Sequence, residues 1–245
     1  MTGRFFVVGV GPGNPELMTL KAVRLLNRCP VWIAPKGKEN GESMALSIID
    51  KVVSRQNKEI LEVHFPMKKI RSGNEDRDVL LAWQKAALDI LARLSKGSDV
   101  AFPTMGDPSI YSTASYVCET LMDISPDTDI TIVPGVSSIS ASAASSRAPL
   151  CLGGEQFVVI PATFDDSRLR AALLTFDTVI LMKVHSVMDR LTSLLGELNL
   201  LDKAILIERS SLGDERIVHN IMDAANTKLH YFSTIIVRKS SRTRG

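Results

Sequence analysis

The sequence predicts an α/β protein made of two α/β domains. Apolar runs of strand length alternate with helix-type segments along the chain, a pattern typical of largely parallel sheets. Turns rich in glycine or proline directly follow three of these runs, after residues 5–8, 99–103 and 130–133. Near the end, 216–220 and 233–238 have the pattern of short strands without an ordinary helix between them, which predicts a mixed sheet in the second domain.

The first predicted domain spans residues 1–136 and begins with the strand at 5–8. Asn14 is expected to cap a helix that starts with Pro15 and continues to about Cys29, because asparagine accepts hydrogen bonds from free N–H groups and proline fits the first helical turn. Gly97 is expected to end a later helix. The other predicted elements are strands at 31–34, 59–65, 99–103 and 130–133 and helices at 43–54, 77–95 and 113–122.

The polar stretch 67–78 interrupts this pattern and is predicted to be a mobile loop. The second predicted domain spans residues 137–245 and opens with a helix of small residues. Its predicted elements are helices at 138–146, 166–176 and 187–198 and strands at 156–161, 178–183, 203–208, 216–220 and 233–238.

The composition is that of an ordinary globular protein and argues against several functions. The net charge of +2 and the aromatic content of 5% disfavour nucleic-acid binding. No apolar run approaches the ~20 residues of a membrane span, and a strand expected from about Arg4 leaves no space for a signal peptide. Cys29, Cys118 and Cys151 are far apart and the histidines are scattered, so neither disulfides nor a metal site are expected. A cytoplasmic location is the resulting expectation.

The first turn, Gly9-Val10-Gly11-Pro12-Gly13-Asn14-Pro15, invites comparison with nucleotide-binding loops. Gly-x-Gly between a strand and a helix is half of the dinucleotide fingerprint, but Asn14 stands where the third glycine is required. No acidic residue ends the second strand and no Gly-Lys-Ser/Thr follows the turn, so neither NAD, FAD nor a P-loop is favoured. The turn could equally be a tight connection that needs only glycine geometry.

The second and third turns offer polar groups at the ends of their strands. Gly106 permits close backbone approach, and Asp107 could accept hydrogen bonds from a ligand or cap a helix with Pro108 at its first position. Ser137 and Ser138 could likewise bind a polar ligand or cap the helix that follows. Because ligands of open α/β sheets lie outside the carboxyl ends of the strands, three such turns on one sheet would form one site.

Taken together and in order, the three turns resemble the signatures of the tetrapyrrole methylases, which use S-adenosylmethionine (SAM) in sirohaem and cobalamin synthesis. The resemblance covers nearly the whole chain and is carried by 9–17 with 19–22, by 106–111 and by 133–138. Within the family, 106–113 and Phe65-Pro66-Met67 are most similar to the branch that methylates carbon 20 of precorrin-2 or cobalt-factor II. The resemblance implies the tetrapyrrole methylase fold, a homodimer, an active site in the cleft between two domains, and S-adenosylhomocysteine as a product.

The resemblance also implies roles for individual residues. Contacts to SAM are expected at Pro12, Met105, Gly106, Asp107, Ile110, Ser137, Ser138, Lys183, Ser210 and Thr234. Contacts to the tetrapyrrole are expected at Gly11, Pro12 and Gly13. Lys68, Lys69 and Arg71 are also expected to contact it, as a basic lid over its carboxylates, because they cluster in the long polar stretch 67–78. Lys183 departs from the family pattern, which often has methionine there. No catalytic acid or base is assigned, and Tyr111 and Asp107 are candidates only.

Other activities remain open at this point. The chain could methylate uroporphyrinogen III or a different precorrin position, or it could be a diphthine-type protein methylase of the same fold. From a different class, it could bind SAM or a tetrapyrrole without turnover.

Overall fold

The structure, a computed structural model, describes residues 2–37, 39–66 and 77–240. The proposed basic lid with Lys68, Lys69 and Arg71 therefore lies outside the described residues. The chain separates into two compact units that divide after Ser137, called unit 1 and unit 2 below.

Unit 1 contains a parallel sheet of five strands in the order β3-β2-β4-β1-β5. The strands are β1 (Phe5–Gly9), β2 (Val31–Lys36), β3 (Glu59–His64), β4 (Val100–Thr104) and β5 (Ile130–Val133). The continuous apolar run of β1 is explained by this order, because β1 lies between two neighbours and is buried on both faces.

Helices cover both faces of this sheet. They are α1 (Leu20–Arg28), α2 (Met44–Ile49), α3 (Arg77–Leu94) and α4 (Thr113–Ile124). Phe6 and Val8 pack with α1 and α2, whereas Phe5 and Val7 pack with α3 and α4. The connections after the neighbouring strands β1 and β4 thus lead to opposite faces. Such a switch point is where open α/β sheets bind ligands.

The chain between β1 and α1 differs from the sequence prediction. Asn14 caps only the short 3-10 helix Pro15–Leu17, where its side chain accepts a hydrogen bond from the Glu16 N–H. The backbone then becomes extended, and Thr19 caps α1 by accepting from the Ala22 N–H at 3.1 Å. The predicted single helix from Pro15 to Cys29 is therefore wrong, because two capping residues compete and each starts its own element.

Unit 2 contains a mixed sheet, as the sequence predicts. Its strands are β6 (Phe157–Pro161), β7 (Thr178–Met182), β8 (Ala204–Glu208), β9 (Arg216–Val218) and β10 (Ser233–Arg238), in the order β6-β7-β10-β8-β9. Only β6 and β7 pair in parallel, and the other pairs are antiparallel. The helices are α5 (Ser138–Ser145), α6 (Asp166–Thr175) and α7 (Met188–Glu197). No helix among the described residues is long and apolar enough to cross a membrane.

Candidate active site

The three turns singled out in the sequence meet at the carboxyl edge of the unit 1 sheet, because β4, β1 and β5 are neighbours. Gly11 and Gly106 join the first two turns: the Gly106 N–H donates to the Gly11 oxygen at 2.7 Å, and the Gly11 N–H donates to the Gly106 oxygen at 3.3 Å. Their φ angles of 79° and 72° lie in the left-handed region that favours glycine. The crossing therefore favours glycine at both positions, whatever else the turns bind.

The third turn packs against the other two through Gly135. A Cβ atom at Gly135 would lie 2.2 Å from the Gly106 oxygen, and one at Gly9 would lie 2.7 Å from the Gly135 nitrogen. The three turns thus touch backbone to backbone and form one rigid edge.

Asp107 ties the second turn to the third. Its Oδ2 accepts a hydrogen bond from the Gly135 N–H at 2.9 Å, and its Oδ1 accepts from the Ser109 N–H at 2.8 Å and from the Ser109 hydroxyl. Burial would raise the pKa of Asp107, but these hydrogen bonds outweigh burial and lower the pKa below its usual range. Of the two alternatives for Asp107, the helix cap before Pro108 does not occur, because α4 begins at Thr113 and is capped by Ser112.

Replacing Asp107 by asparagine is expected to lower the free energy of unfolding by about 1–2 kcal/mol at pH 7, because the amide cannot accept all three hydrogen bonds. The folded-state pKa of Asp107 is lowered, so its contribution is complete above the unfolded value of about 4 and is lost as the pH falls through the folded value. The difference between the wild type and Asp107→Asn should therefore shrink below about pH 4. Urea unfolding at several pH values measures this difference in unfolding free energy. Asp123→Asn is the control, because Asp123 is an exposed carboxylate on α4. A difference that is independent of pH would contradict the prediction.

Tyr111 stands just beyond this turn in a strained conformation. Its φ of 49° is unusual for a bulky residue, and its side chain remains half exposed. Burial of the remainder raises the pKa of Tyr111, so its phenol is protonated at neutral pH and can donate a hydrogen bond. Behind it, the buried hydroxyls of Thr104 and Ser112 are 3.0 Å apart and fix the start of α4.

The remaining predicted residues in the first part of the chain lie within or next to the three turns. Met105, Ile110 and Ser137 are partly exposed around the turns, and Ser138 is the first residue of α5, at the start of unit 2. Gly11, Pro12 and Gly13 are buried, so they offer little surface to a ligand.

Three of the four predicted cofactor residues of unit 2, namely Lys183, Ser210 and Thr234, lie at one edge of its sheet. Thr234 pairs with Met182 on one side and Ile207 on the other, so Lys183 and Ser210 follow at the same end of the sheet. Lys183 is exposed and left-handed, with φ of 61°. Ser210 is only 8% exposed, and its hydroxyl has no hydrogen-bond partner among the described residues. Such an unpaired buried hydroxyl is uncommon and calls for an explanation.

A cluster around Glu208 at this edge is not predicted by the sequence. Its members are Glu208, Arg209, Asp214, Arg216 and His230. His230 Nε2 is 3.1 Å from an Arg209 nitrogen, and burial together with Arg209 lowers the pKa of His230. In the sequence Glu208 shows only as a charged residue at the end of an apolar strand, which is a weak signal. Within the described part of the chain, no group of three or more His, Cys, Asp or Glu side chains could hold a metal ion.

A family model described as Tetrapyrrole (Corrin/Porphyrin) Methylases matches residues 4–225. The chain belongs to this methylase family. Similar curated relatives include the cobalt-precorrin-2 C(20)-methyltransferase of Salmonella typhimurium, which is 34% identical over 98% of both chains. The probable cobalt-precorrin-2 C(20)-methyltransferase of Methanocaldococcus jannaschii is also 34% identical, over 98% of this chain and 97% of its own.

Solved structures of methylases share the fold. A cobalt precorrin-4 methyltransferase superposes with a TM-score of 0.71 at 20% identity, covering 96% of this chain and 94% of its own. The uroporphyrin-III C-methyltransferase of Thermus thermophilus, complexed with S-adenosylhomocysteine, superposes with a TM-score of 0.69 at 22% identity, covering 97% and 92%. These matches confirm the predicted fold class with its two α/β domains.

Proposed function

We propose that this methylase transfers a methyl group from SAM to carbon 20 of precorrin-2 or of its cobalt-containing counterpart, cobalt-factor II. The observation that carries the proposal is the likeness, over nearly the full length, to relatives named for methylation at C(20). The structure supports the proposal because the connections after β1 and β4 lead to opposite faces of the sheet, and open α/β sheets bind ligands at such a switch point.

The residues at the two sheet edges fit SAM in their chemistry. SAM has an adenine, a ribose and an amino acid group, all of which form hydrogen bonds, and the edges present backbone groups, serines and a threonine. The buried Ser210 hydroxyl without a partner among the described residues is the most specific sign of fit, because a bound ligand would satisfy it. We propose that SAM contacts Met105, Gly106, Asp107, Ile110, Ser137, Ser138, Lys183, Ser210 and Thr234, with Pro12 alongside.

When bound, SAM supplies the methyl group on a positively charged sulfur. The protein then needs mainly to align donor and acceptor and to exclude water. The backbone contacts among Gly9, Gly106 and Gly135 provide a rigid surface for this alignment. Asp107 is engaged in the turn and its pKa is lowered, so it is better suited to hold the site than to accept a proton. Tyr111 is protonated and half exposed, so it is suited to donate a hydrogen bond to the tetrapyrrole.

The proposal is tested by anaerobic turnover with methyl-labelled SAM, in which precorrin-2 and cobalt-factor II are offered in parallel. The product is identified by its mass and by the carbon that carries the label. Label at carbon 20 of one substrate confirms the reaction and identifies the metal state of the substrate. Label at another carbon, or at uroporphyrinogen III in a third reaction, assigns a different member of the family. SAM binding without transfer to any tetrapyrrole would overturn the proposal.

Two further features are proposed from the sequence, the first from the clustering of basic residues in the stretch 67–78 and the second from the family resemblance. Lys68, Lys69 and Arg71 are proposed to bind substrate carboxylates, which predicts a higher KM for the tetrapyrrole and unchanged SAM affinity when all three are replaced by glutamine. A homodimer is proposed as well, and light scattering of the purified chain measures it.

A further inference from the structure

We propose that Glu208 is a positioning residue for the unit 2 part of the SAM site; this inference rests on the proposed function. Glu208 ends β8 and is only 6% exposed. Its Oε1 accepts a hydrogen bond from the backbone N–H of His230 at 2.7 Å and lies 3.4 Å from the Ser233 hydroxyl. Its Oε2 accepts from Arg216 Nε at 2.6 Å, and a second Arg216 nitrogen also contacts it.

Glu208 and its donors flank two of the predicted cofactor residues, Ser210 and Thr234. Ser210 follows Glu208 by two positions, and Thr234 directly follows Ser233, which pairs with Glu208 in the sheet. The Arg209 N–H adds a bond to the Phe232 oxygen at 2.7 Å. The Glu208 carboxylate therefore fixes the spacing between the Ser210 loop and the start of β10.

The Ser210 loop needs such support because its backbone is strained on both sides. Arg209 and Ser211 have φ angles of 52° and 60°, which non-glycine residues adopt only when their surroundings hold them there. The Arg209 side chain donates to Asp214 at 2.6 Å, and the Glu215 carboxylate accepts from the Ser211 N–H and, at 3.0 Å, from the Ser145 hydroxyl. Within this frame the Ser210 hydroxyl stays buried and without a partner among the described residues, a state that ligand binding would relieve.

A purely structural ion pair between Glu208 and Arg216 makes a different prediction. It would stabilise the fold, but the SAM affinity of a folded variant would be unchanged. If Glu208 is a positioning residue, its replacement lowers the SAM affinity by disturbing Ser210. The losses of SAM affinity caused by changing Glu208 and by changing Ser210 are then not additive in the double variant.

The test is isothermal titration calorimetry with SAM and S-adenosylhomocysteine on the full chain, well below the melting temperature of each variant. The variants are Glu208→Gln, Ser210→Ala and both together, with Glu197→Gln as control because Glu197 is exposed and paired only at the surface with Arg170. We expect Glu208→Gln to weaken both ligands about tenfold, the effect of one lost hydrogen bond to a charged group. The double variant should be little weaker than the weaker single variant, and the control should bind like the wild type.

Wild-type affinity in folded Glu208→Gln, or additive losses in the double variant, would overturn the positioning role and leave the proposed function intact. Failure of the wild type to bind SAM would overturn the proposed function and this inference with it. If Glu208→Gln does not fold, Arg216→Gln provides the same test, since the Arg216 side chain is 47% exposed and its loss frees Oε2. The SAM affinity of Arg216→Gln should then be lower than that of the wild type, and an unchanged affinity would overturn the inference.

Discussion

Replacing Gly106 by leucine is expected to abolish SAM binding, with affinity reduced at least about a hundredfold, while unit 1 still folds. Gly106 is buried and left-handed, and both its N–H and its oxygen are bonded to Gly11. A leucine there has to place its side chain at the crossing of the turns, where the cofactor is proposed to lie. The left-handed conformation costs a non-glycine residue about 1–2 kcal/mol, which a domain of ordinary stability tolerates.

Gly106→Ala is the matched control for this prediction. Alanine has the same backbone penalty as leucine but little bulk, so it separates strain from occlusion of the site. Calorimetry should show measurable but weakened SAM binding by Gly106→Ala and none by Gly106→Leu. Normal SAM affinity in Gly106→Leu would show that the turn is structural only.

The sequence predicts which strand ends of unit 1 carry the candidate site residues, but it does not predict the order in which those strands pair. The turns after β1, β4 and β5 are visible as glycine and proline clusters. The strand order, by contrast, depends on tertiary pairing, and only this order places Gly11 against Gly106 and Gly135 against both turns. For the same reason the sequence leaves the role of Asp107 open, because its hydrogen bond to Gly135 spans 28 residues of sequence.

In unit 2 the sequence predicts the mixed sheet, but it does not predict which residues come together at the edge of that sheet. The last strand, β10, lies between β7 and β8, so Thr234 is brought beside Met182 and Ile207 by antiparallel pairing. Glu208 could not be predicted as a positioning residue because its partners come from two other segments: Arg216 faces it in the pairing of β8 with β9, and His230 precedes β10, which pairs with β8 on the other side. Sequence prediction succeeds where a single residue determines the local backbone. Gly97 is predicted to end a helix, and in the structure it follows α3 in the left-handed conformation, with a φ of 82°.

Replacing Gly135 by alanine is expected to destabilise unit 1 by about 3 kcal/mol. The new Cβ would lie 2.2 Å from the Gly106 oxygen, a backbone atom that is itself held by the bond to Gly11, so the turns must move apart. That movement also lengthens the hydrogen bond from the Gly135 N–H to Asp107, and SAM affinity should fall in the remaining folded protein. Both tryptophans, Trp32 and Trp83, lie in unit 1, so their fluorescence during urea unfolding follows the unit that carries the change.

Gly154→Ala in unit 2 is the control for a glycine-to-alanine change without a steric clash, because a Cβ atom at Gly154 would meet nothing within 4 Å. Since both tryptophans lie in unit 1, the urea unfolding of this control is followed by far-UV circular dichroism. We expect its stability to stay within about 0.5 kcal/mol of the wild type. If Gly135→Ala proved as stable as the control, the third turn would not pack against Gly106. The turns would then be independent loops, and the rigid edge on which the alignment of donor and acceptor depends would not exist.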